Sequence, residues 1–369
     1  MHQEPSGVRI MAYTTIDDPS AHFQTVLYTG NGSDDLSVTF GGNSDLQPDL
    51  LWFKNRNDTQ GHEIFDSTRG VAESVRPHNN EVANTDSPND RLMSFDSDGF
   101  ELDDDGNPNT DTNTYVAWGW KANGGSRTTN AEDGHNPGGG YQANTTAGFS
   151  IVDYTGVYTS APGTMAHGLG AVPHMMAIKN REIAGSWIIY HHKNTSAPET
   201  DILDWSHDGA TYDNVSYWND TAPTSTVFTI NTSNDVNKDG DGIIAYCWTS
   251  IQGYSKFGGY TGNGDADGAF VHTGFRPAFV IIKRSDATAN WTIWDTTRYP
   301  TNPQNIQLYP DLSNAEDSAS ASTVIDFLSN GMKMRGTNAK INADGGSYIY
   351  MAFAEAPFVT SGGVPCTAR

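Results

Sequence analysis

The chain has 369 residues and a formal net charge of −23, from 21 basic and 44 acidic side chains. Such an acidic surface repels phosphate backbones, so no nucleic-acid partner is expected. Two cysteines cannot form the disulfide framework of a small secreted scaffold. No apolar run reaches the roughly 20 residues that cross a bilayer, so membrane insertion is not expected.

Short β-branched and aromatic runs alternate with glycine, proline, asparagine and aspartate clusters along the whole chain. This pattern is typical of an all-β protein. In chain order, residues 1–22 are a polar lead. A first strand then ends in the signature Tyr28-Thr29-Gly30, and a near-continuous apolar run from Leu50 to Lys54 predicts a strand covered on both faces.

The same landmarks recur twice. The signature returns at Tyr154 and Tyr260, and the aromatic closing strands begin near 115, 243 and 348, so the intervals are 87, 89 and 88 residues. A constant spacing between differing sequences indicates three copies of one domain. The sequence therefore predicts three tandem antiparallel β-sandwiches, jelly-roll or concanavalin-like.

The predicted boundaries place the first repeat at 23–122, the second at 148–252 and the third at 253–358, with a tail at 359–369. Residues 123–147 are rich in glycine, asparagine and threonine and predict a linker or a long exposed loop. We expect the first and last strands of each repeat to be neighbours, which brings the two ends of the repeat together. The three sandwiches can then follow one another along the chain as separate domains.

Two sets of equivalent residues receive structural interpretations. The lysines that end the central strands are interpreted as exits into water with solvated ammonium groups, although a ligand contact is an alternative: Lys54, Lys179 and Lys283. Trp187 and Trp291 are interpreted as core residues of their strands, although sugar stacking is an alternative.

The candidates for ligand binding are aromatic residues in variable loops, because indole and phenol rings stack on the apolar faces of sugars. The second repeat has the longest insertion, with Ser, Thr, Asn and Asp around its aromatic residues. The candidates are Trp205, Tyr212, Tyr217, Trp218 and Tyr309.

The segment 235–241 resembles the start of a calcium loop, but its twelfth position is Tyr246 rather than glutamate, so a polar turn is the simpler interpretation. The aspartates at 103–105 are a weaker candidate. No metal and no other cofactor is expected. The sequence also lacks a nucleophile elbow, a zinc cysteine set and a P-loop, so a non-enzymatic protein is predicted, while a glycosidase carboxylate pair stays open among the many acidic residues.

Four stretches of the third repeat carry a resemblance: Tyr-Thr-Gly-Asn-Gly at 260–264, Gly-Phe-Arg-Pro-Ala-Phe-Val-Ile-Ile-Lys-Arg at 274–284, Asn-Ala-Asp-Gly at 342–345, and Tyr-Ile-Tyr-Met-Ala-Phe-Ala-Glu-Ala-Pro-Phe at 348–358. They resemble a repeated domain of virion proteins from phages of marine bacteria and cyanobacteria, often called tail-fibre or structural proteins. The resemblance implies concanavalin-like sandwiches, other virion proteins as partners and a place on the virion surface after assembly in the host cytoplasm. It implies no catalytic residues.

The functional expectation is a virion surface protein, a tail fibre or similar appendage, whose repeats bind host-surface glycan through multivalency. A purely architectural virion part without ligand, such as a capsid decoration or tail-assembly protein, is the alternative. A polysaccharide-degrading enzyme is the third hypothesis. A homo-oligomer is expected, with a trimer favoured.

Overall fold

A computed structural model describes residues 12–85, 91–104, 106–158, 161–318 and 322–365. Strands dominate, and each helix is a single turn: the 3-10 turns Pro19–Ala21 and Pro198–Thr200, and α1 (Gly106–Asn109), α2 (Val215–Trp218), α3 (Asn234–Asn237) and α4 (Ala339–Asn342). Within these described ranges no helix has the length and apolar character of a membrane span. The predicted all-β class is confirmed.

The first segment forms two antiparallel sheets. Its strands are β1 (Phe23–Thr29), β2 (Leu36–Val38), β3 (Leu50–Asn55), β4 (His62–Asp66), β5 (Gly70–Val75), β6 (Asn84–Thr85), β7 (Leu92–Asp96), β8 (Gly99–Leu102) and β9 (Thr114–Trp120). The large sheet has the order β1-β9-β3-β4-β5-β6 and the small sheet the order β2-β8-β7.

The second segment repeats this plan with additions. Its strands are β10 (Thr128–Asn130), β11 (Gly139–Asn144), β12 (Phe149–Thr155), β13 (Gly163–Ala166), β14 (Met175–Asn180), β15 (Ile188–His191), β16 (Asp201–Asp204), β17 (Tyr212–Asp213), β18 (Val227–Ile230) and β19 (Gly242–Trp248). The large sheet runs β10-β11-β12-β19-β14-β15-β16-β17, and β13 pairs with β18.

The third segment contains β20 (Ser255–Thr261), β21 (Phe270–His272), β22 (Phe275–Arg284), β23 (Thr292–Asp295), β24 (Ile306–Gln307), β25 (Asp317–Ser318), β26 (Ile325–Leu328), β27 (Gly331–Met334) and β28 (Ser347–Pro357). Its sheets have the orders β20-β28-β22-β23, β21-β27-β26 and β24-β25. In all three segments the strand that ends in the Tyr-Thr-Gly signature, which was predicted to open the repeat, pairs with the closing strand: β1 with β9, β12 with β19 and β20 with β28.

The linker predicted at 123–147 is corrected by the structure, because β10 and β11 lie inside it. β11 pairs antiparallel with β12 over its whole length. Its sequence, Gly-Gly-Tyr-Gln-Ala-Asn, has one large apolar side chain, Tyr141, which packs against the core, and the rest is held by backbone pairing and polar contacts. A strand of that kind leaves no hydrophobic pattern to read.

The repeated signature has one structural meaning in all three segments. The hydroxyl of its tyrosine donates to a carbonyl just before the closing strand: Tyr28 to Pro108 (2.9 Å), Tyr154 to Val236 (2.8 Å) and Tyr260 to Ile341 (2.7 Å). The following glycine is required by space, since a Cβ on Gly156 would lie 2.2 Å from the Lys238 oxygen, and the other two glycines are equally crowded.

Each segment encloses an apolar core between its large and small sheets. The opposite faces of the three large sheets, however, meet in one shared core. Residues from the central strands of all three segments belong to it: Leu50, Trp52, Met175, Ala177, Phe279 and Ile281. The expectation of separate sandwiches is therefore wrong. The large sheets are covered on both faces, as the fully buried pattern of β3, β14 and β19 requires.

Equivalent side chains connect the segments head to tail. Pairing registers place His62, Trp187 and Trp291 at the same position, opposite the strand-ending lysine. Each hydrogen-bonds a backbone carbonyl of another segment: His62 Nε2 with Tyr309 (2.9 Å), Trp187 Nε1 with Arg76 (2.8 Å) and Trp291 Nε1 with Asp204 (2.8 Å). The first segment thus binds the third, the third binds the second and the second binds the first. Repeated contacts of this kind close a ring.

Candidate functional site

The structure places most of the predicted sugar-binding residues inside the protein. Trp218 is 2 % exposed and lies in the core between the sheets of the second segment, where its Nε1 donates to the Asp201 carbonyl (3.2 Å). Tyr217 lies in the same core. Their predicted exposure on a loop is wrong, because the insertion folds into α2, β16 and β17 and turns these two rings inward.

Trp205 and Tyr309 are also buried, at 1 % and 5 % exposure. The Trp205 ring packs in the shared core against Trp52, with 5.0 Å between ring centroids. The Tyr309 ring is covered by the Lys340 ammonium, 4.6 Å from its centroid. Of the five candidates only Tyr212 is exposed, at 44 %. Trp187 and Trp291 are core residues, as predicted.

The three strand-ending lysines are buried, so their predicted solvation is wrong. Each ammonium group donates to carbonyls of the loop that follows its strand: Lys54 to Asn55 and Gln60, Lys179 to Asn180 and Ile183, and Lys283 to Arg284 and Ala289. Burial lowers the pKa of Lys54 to about 7 and those of Lys179 and Lys283 to about 8. These lysines hold the loops that follow their strands. The carbonyls of each turn need hydrogen-bond donors, which explains why a polar residue ends a buried strand.

A buried ion pair follows β4 and β23 and was overlooked in the sequence. Asp66 pairs with Arg69 (2.6 Å) and Asp295 with Arg298 (2.5 Å), both almost without exposure. The aspartates also accept bonds from other segments, Asp66 from the Tyr246 hydroxyl and Asp295 from Trp118 Nε1. The signal was available as a repeated Asp-x-Thr-Arg, at 66–69 and 295–298.

The two acidic stretches differ in structure. In the calcium-like segment Asp235 lies in the single turn α3 and Lys238 pairs with Asp241 (3.0 Å), which agrees with a polar turn. The carboxylates of Asp34, Asp103 and Asp104 lie within 4.8 Å of one another near the surface. A hydrogen bond shared with Asp103 raises the pKa of Asp34. Asp105 lies outside the described residues.

At each junction of the ring a recess runs along the strand that ends in the Tyr-Thr-Gly signature: β1, β12 or β20. Each of these strands pairs with its closing strand on one side, and on the other side alternate residues point their N–H and C=O groups into the recess. At the two ends of β1, the Lys121 N–H donates to the His22 carbonyl and the Gly30 N–H donates to the Asn113 carbonyl, so the even-numbered residues bond towards the closing strand. The outward groups therefore belong to Phe23, Thr25 and Leu27.

The junction between the second and first segments is filled by β11. Its Gln142 lies opposite Ile151 of β12. The Gln142 amide nitrogen donates to the hydroxyls of Ser67 (2.7 Å) and Thr68 (2.6 Å) across the junction. The neighbouring Tyr141 ring occupies the space that a side chain on Gly168 would need.

The junction between the third and second segments is capped by side chains. Phe257 of β20 is equivalent to Ile151 by register. Its N–H donates to Ser250 Oγ (3.1 Å), and its carbonyl accepts from His192 Nε2 (2.9 Å). His174 and Lys256 also line this cavity of about 460 Å³.

The junction between the first and third segments is open. A cavity of about 490 Å³ is lined by Thr25 and Leu27 on one side and by Thr296 and Thr297 on the other, with Gly41 at its wall. Across the described residues, none hydrogen-bonds the outward backbone groups of Thr25. This open groove is the candidate functional site.

These features define the class of the protein: an all-β chain in which sheet pairs close head to tail around a shared core and leave recessed sheet edges at the junctions. The chain belongs to the family described as a domain of unknown function, DUF7483, which matches residues 18–357. The match covers all three segments, so the family unit is the whole ring. Comparisons with curated proteins and with solved structures found no match.

Proposed function

We propose that the chain is an architectural component of a phage virion surface that makes its contacts with other virion proteins. The observation that supports this most is the shared core, because it makes one rigid block of the three segments. The buried lysines and Asp–Arg pairs contribute to that rigidity and are occupied by structural hydrogen bonds. This supports a non-enzymatic role.

The architectural alternative is preferred to glycan binding because four of the five proposed sugar-stacking side chains are packed inside the protein. Tyr212 is the remaining candidate for a sugar contact. Binding of the purified protein to host cells, lost on Tyr212→Ala without any change in melting temperature, would restore the glycan hypothesis.

The expected homotrimer stays a prediction, and the ring offers a simpler arrangement. Three equivalent units already surround one axis within a single polypeptide, so a monomer can present the surface that a trimer of shorter chains would present. Light scattering after gel filtration distinguishes the two, since the monomer has a mass of 40.0 kDa and a trimer three times that.

Position in the particle tests the virion assignment. Antibodies against the purified chain, applied with gold label to particles isolated from a lysed host culture, should mark a fixed place on the particle surface. Label confined to cell debris, with none on purified particles, would refute the proposal. A reducing-sugar release assay on host polysaccharide tests the enzymatic alternative.

A further inference from the structure

The ring presents one recess three times, and the chain treats each copy differently. β11 fills the first, side chains cap the second, and in the third, between the first and third segments, no described residue bonds the outward backbone groups of Thr25 on β1. We propose that this open groove receives an extended segment of another polypeptide, which adds to β1 as an antiparallel strand in the way that β11 adds to β12. The proposal depends on the fold and not on the virion assignment.

Comparison of strand registers between the filled and the open junction identifies the residues that an incoming strand would contact. Asp66 and Asp295 occupy equivalent positions, opposite Leu50 and Phe279. The residues that follow are therefore also equivalent, so Thr296 and Thr297 stand where Ser67 and Thr68 stand. Both pairs carry hydroxyl groups, and Thr296 and Thr297 line the open groove. The groove thus keeps hydroxyl acceptors equivalent to those that bind the Gln142 amide nitrogen in the filled junction.

The backbone of the edge matches as well. Thr25 is equivalent to Ile151, because Phe23 pairs with Trp120 as Phe149 pairs with Trp248. In the filled junction Thr155 N–H donates to the Gly138 carbonyl, so alternation makes Gln142 and Ile151 a hydrogen-bonded pair. An incoming residue opposite Thr25 would form the same pair. A carboxamide side chain on that residue would reach the two threonines.

The capped junction between the third and second segments shows that an empty edge is not the only outcome of this fold. There His192 and Ser250 satisfy both outward groups of Phe257, and no strand is needed. In the open groove the residues equivalent to His192 and Ser250 are Thr296 and Glu355, and neither bonds Thr25 in the described structure. Unpaired edge groups are templates for strand addition.

The shape of the recess favours a single strand over a second copy of this protein. The edge lies at the bottom of a groove between two segments, with Gly41 and Gly42 on one wall and Thr296 and Thr297 on the other. A whole sheet edge of another folded molecule would be stopped by these walls. A lone strand, about 13 Å long over the five residues from Phe23 to Leu27, can enter. Its sequence should resemble β11, with a glutamine next to an aromatic residue that packs on the glycine wall.

The experiment measures fluorescence polarisation of a labelled peptide with the sequence of residues 137–146, titrated with the full-length protein. We expect saturable binding. N-methylation at the position of Gln142 removes the amide donor to the Thr25 carbonyl and should weaken binding at least tenfold. N-methylation at the position of Ala143 should change binding less than twofold, because that amide points away from β1. Equal effects of the two methylations, or no binding at 1 mM protein, would overturn the proposal.

Protein variants locate the site. Thr25→Pro removes the outward N–H and should weaken binding at least tenfold. An edge strand tolerates proline at a position whose N–H points away from the sheet. Thr25→Ala keeps the N–H and should bind as the wild type does. Circular dichroism verifies that both variants fold. If Thr25→Pro is unfolded, the double variant Thr296→Ala and Thr297→Ala replaces it, and it should weaken the glutamine peptide several-fold but not a peptide with alanine at that position.

Two further outcomes would overturn the proposal. Unchanged binding by Thr25→Pro would place the peptide elsewhere, for example in the filled junction by displacement of β11. Dimers of the wild-type protein that disappear in Thr25→Pro would assign the edge to a second copy of the chain. Failure of the virion labelling experiment leaves peptide binding unaffected, so the two proposals fail separately.

Discussion

Replacement of Trp291 by alanine tests whether the three segments unfold as one block. Trp291 is 2 % exposed, belongs to the shared core and bonds the Asp204 carbonyl of the second segment. Truncation of a buried aromatic residue costs about 3–5 kcal/mol, part of which is the cavity left behind. The unpaired carbonyl adds roughly 1–3 kcal/mol if water cannot reach it.

Urea denaturation followed by far-UV circular dichroism measures this loss. If the ring is cooperative, wild type and Trp291→Ala both unfold in a single transition. The slope of the free energy of unfolding against urea concentration is then that of the whole chain, roughly three times the slope for one segment. Hydrogen exchange should then show that β9, β19 and β28 lose protection together. Wild-type protection of β9 beside rapid exchange of β28 in the variant would refute the shared-core reasoning.

Trp294→Ala is the matched control. Trp294 is equally buried and lies in the same segment, but it belongs to the core that the third segment keeps to itself. Both variants lose one buried indole. Both therefore accelerate exchange through global destabilisation, but only Trp291→Ala also removes the bond to the second segment, so it should accelerate exchange of the β16 amides more than Trp294→Ala does. Equal exchange of β16 in the two variants would show that the Trp291–Asp204 contact does not couple the segments.

Three further outcomes follow. Gly156→Ala should destabilise the protein by more than about 1 kcal/mol, since its Cβ would lie 2.2 Å from the Lys238 oxygen, whereas Gly209→Ala meets open space and should be neutral in thermal melts. Trp218→Ala should lower stability by about 3–5 kcal/mol as a core truncation, and a variant that melts like wild type would contradict its burial. Burial lowers the pKa of His191 to about 3, from 6.5. The unfolded chain then binds more protons between these values, so stability is full above pH 6.5 and falls as the pH drops, by up to about 1.4 kcal/mol per unit. His191→Gln should flatten this part of the stability profile in urea titrations at pH 7 and pH 4.5.

Much of each segment could be read from the sequence because its cues are local. The signature at Tyr28, Tyr154 and Tyr260 identified the repeat. In the structure each of these hydroxyls donates to an equivalent backbone carbonyl of its own segment. The apolar run at Leu50 also predicted a strand covered on both faces, correctly. The sequence pattern did not say what covers the second face, since burial against another segment and burial within one produce the same apolar pattern.

The candidate groove could not be predicted for a related reason. Its components, Thr25 and Thr296, are far apart in the chain and chemically unremarkable, and only the register of separate sheets places them together. Trp205 and Trp218 were predicted to be exposed because polar residues surround them in the sequence. Short strands are joined by polar turns, so a buried ring on such a strand also has polar neighbours in the sequence. The prediction that the lysines are solvated was wrong for a similar reason. A charged residue after an apolar run usually lies at a surface, but the Lys54 ammonium group donates to buried backbone carbonyls.

Linking the ring's three units in one polypeptide also has an evolutionary consequence. In an assembly of three identical chains, a substitution appears at every junction at once, so no interface can change without the others. Here a mutation at Thr296 leaves Ser67 and His192 untouched. Each junction can therefore accumulate its own changes, and one can be sealed with an inserted strand and another closed by side chains while the last remains free to acquire a binding role.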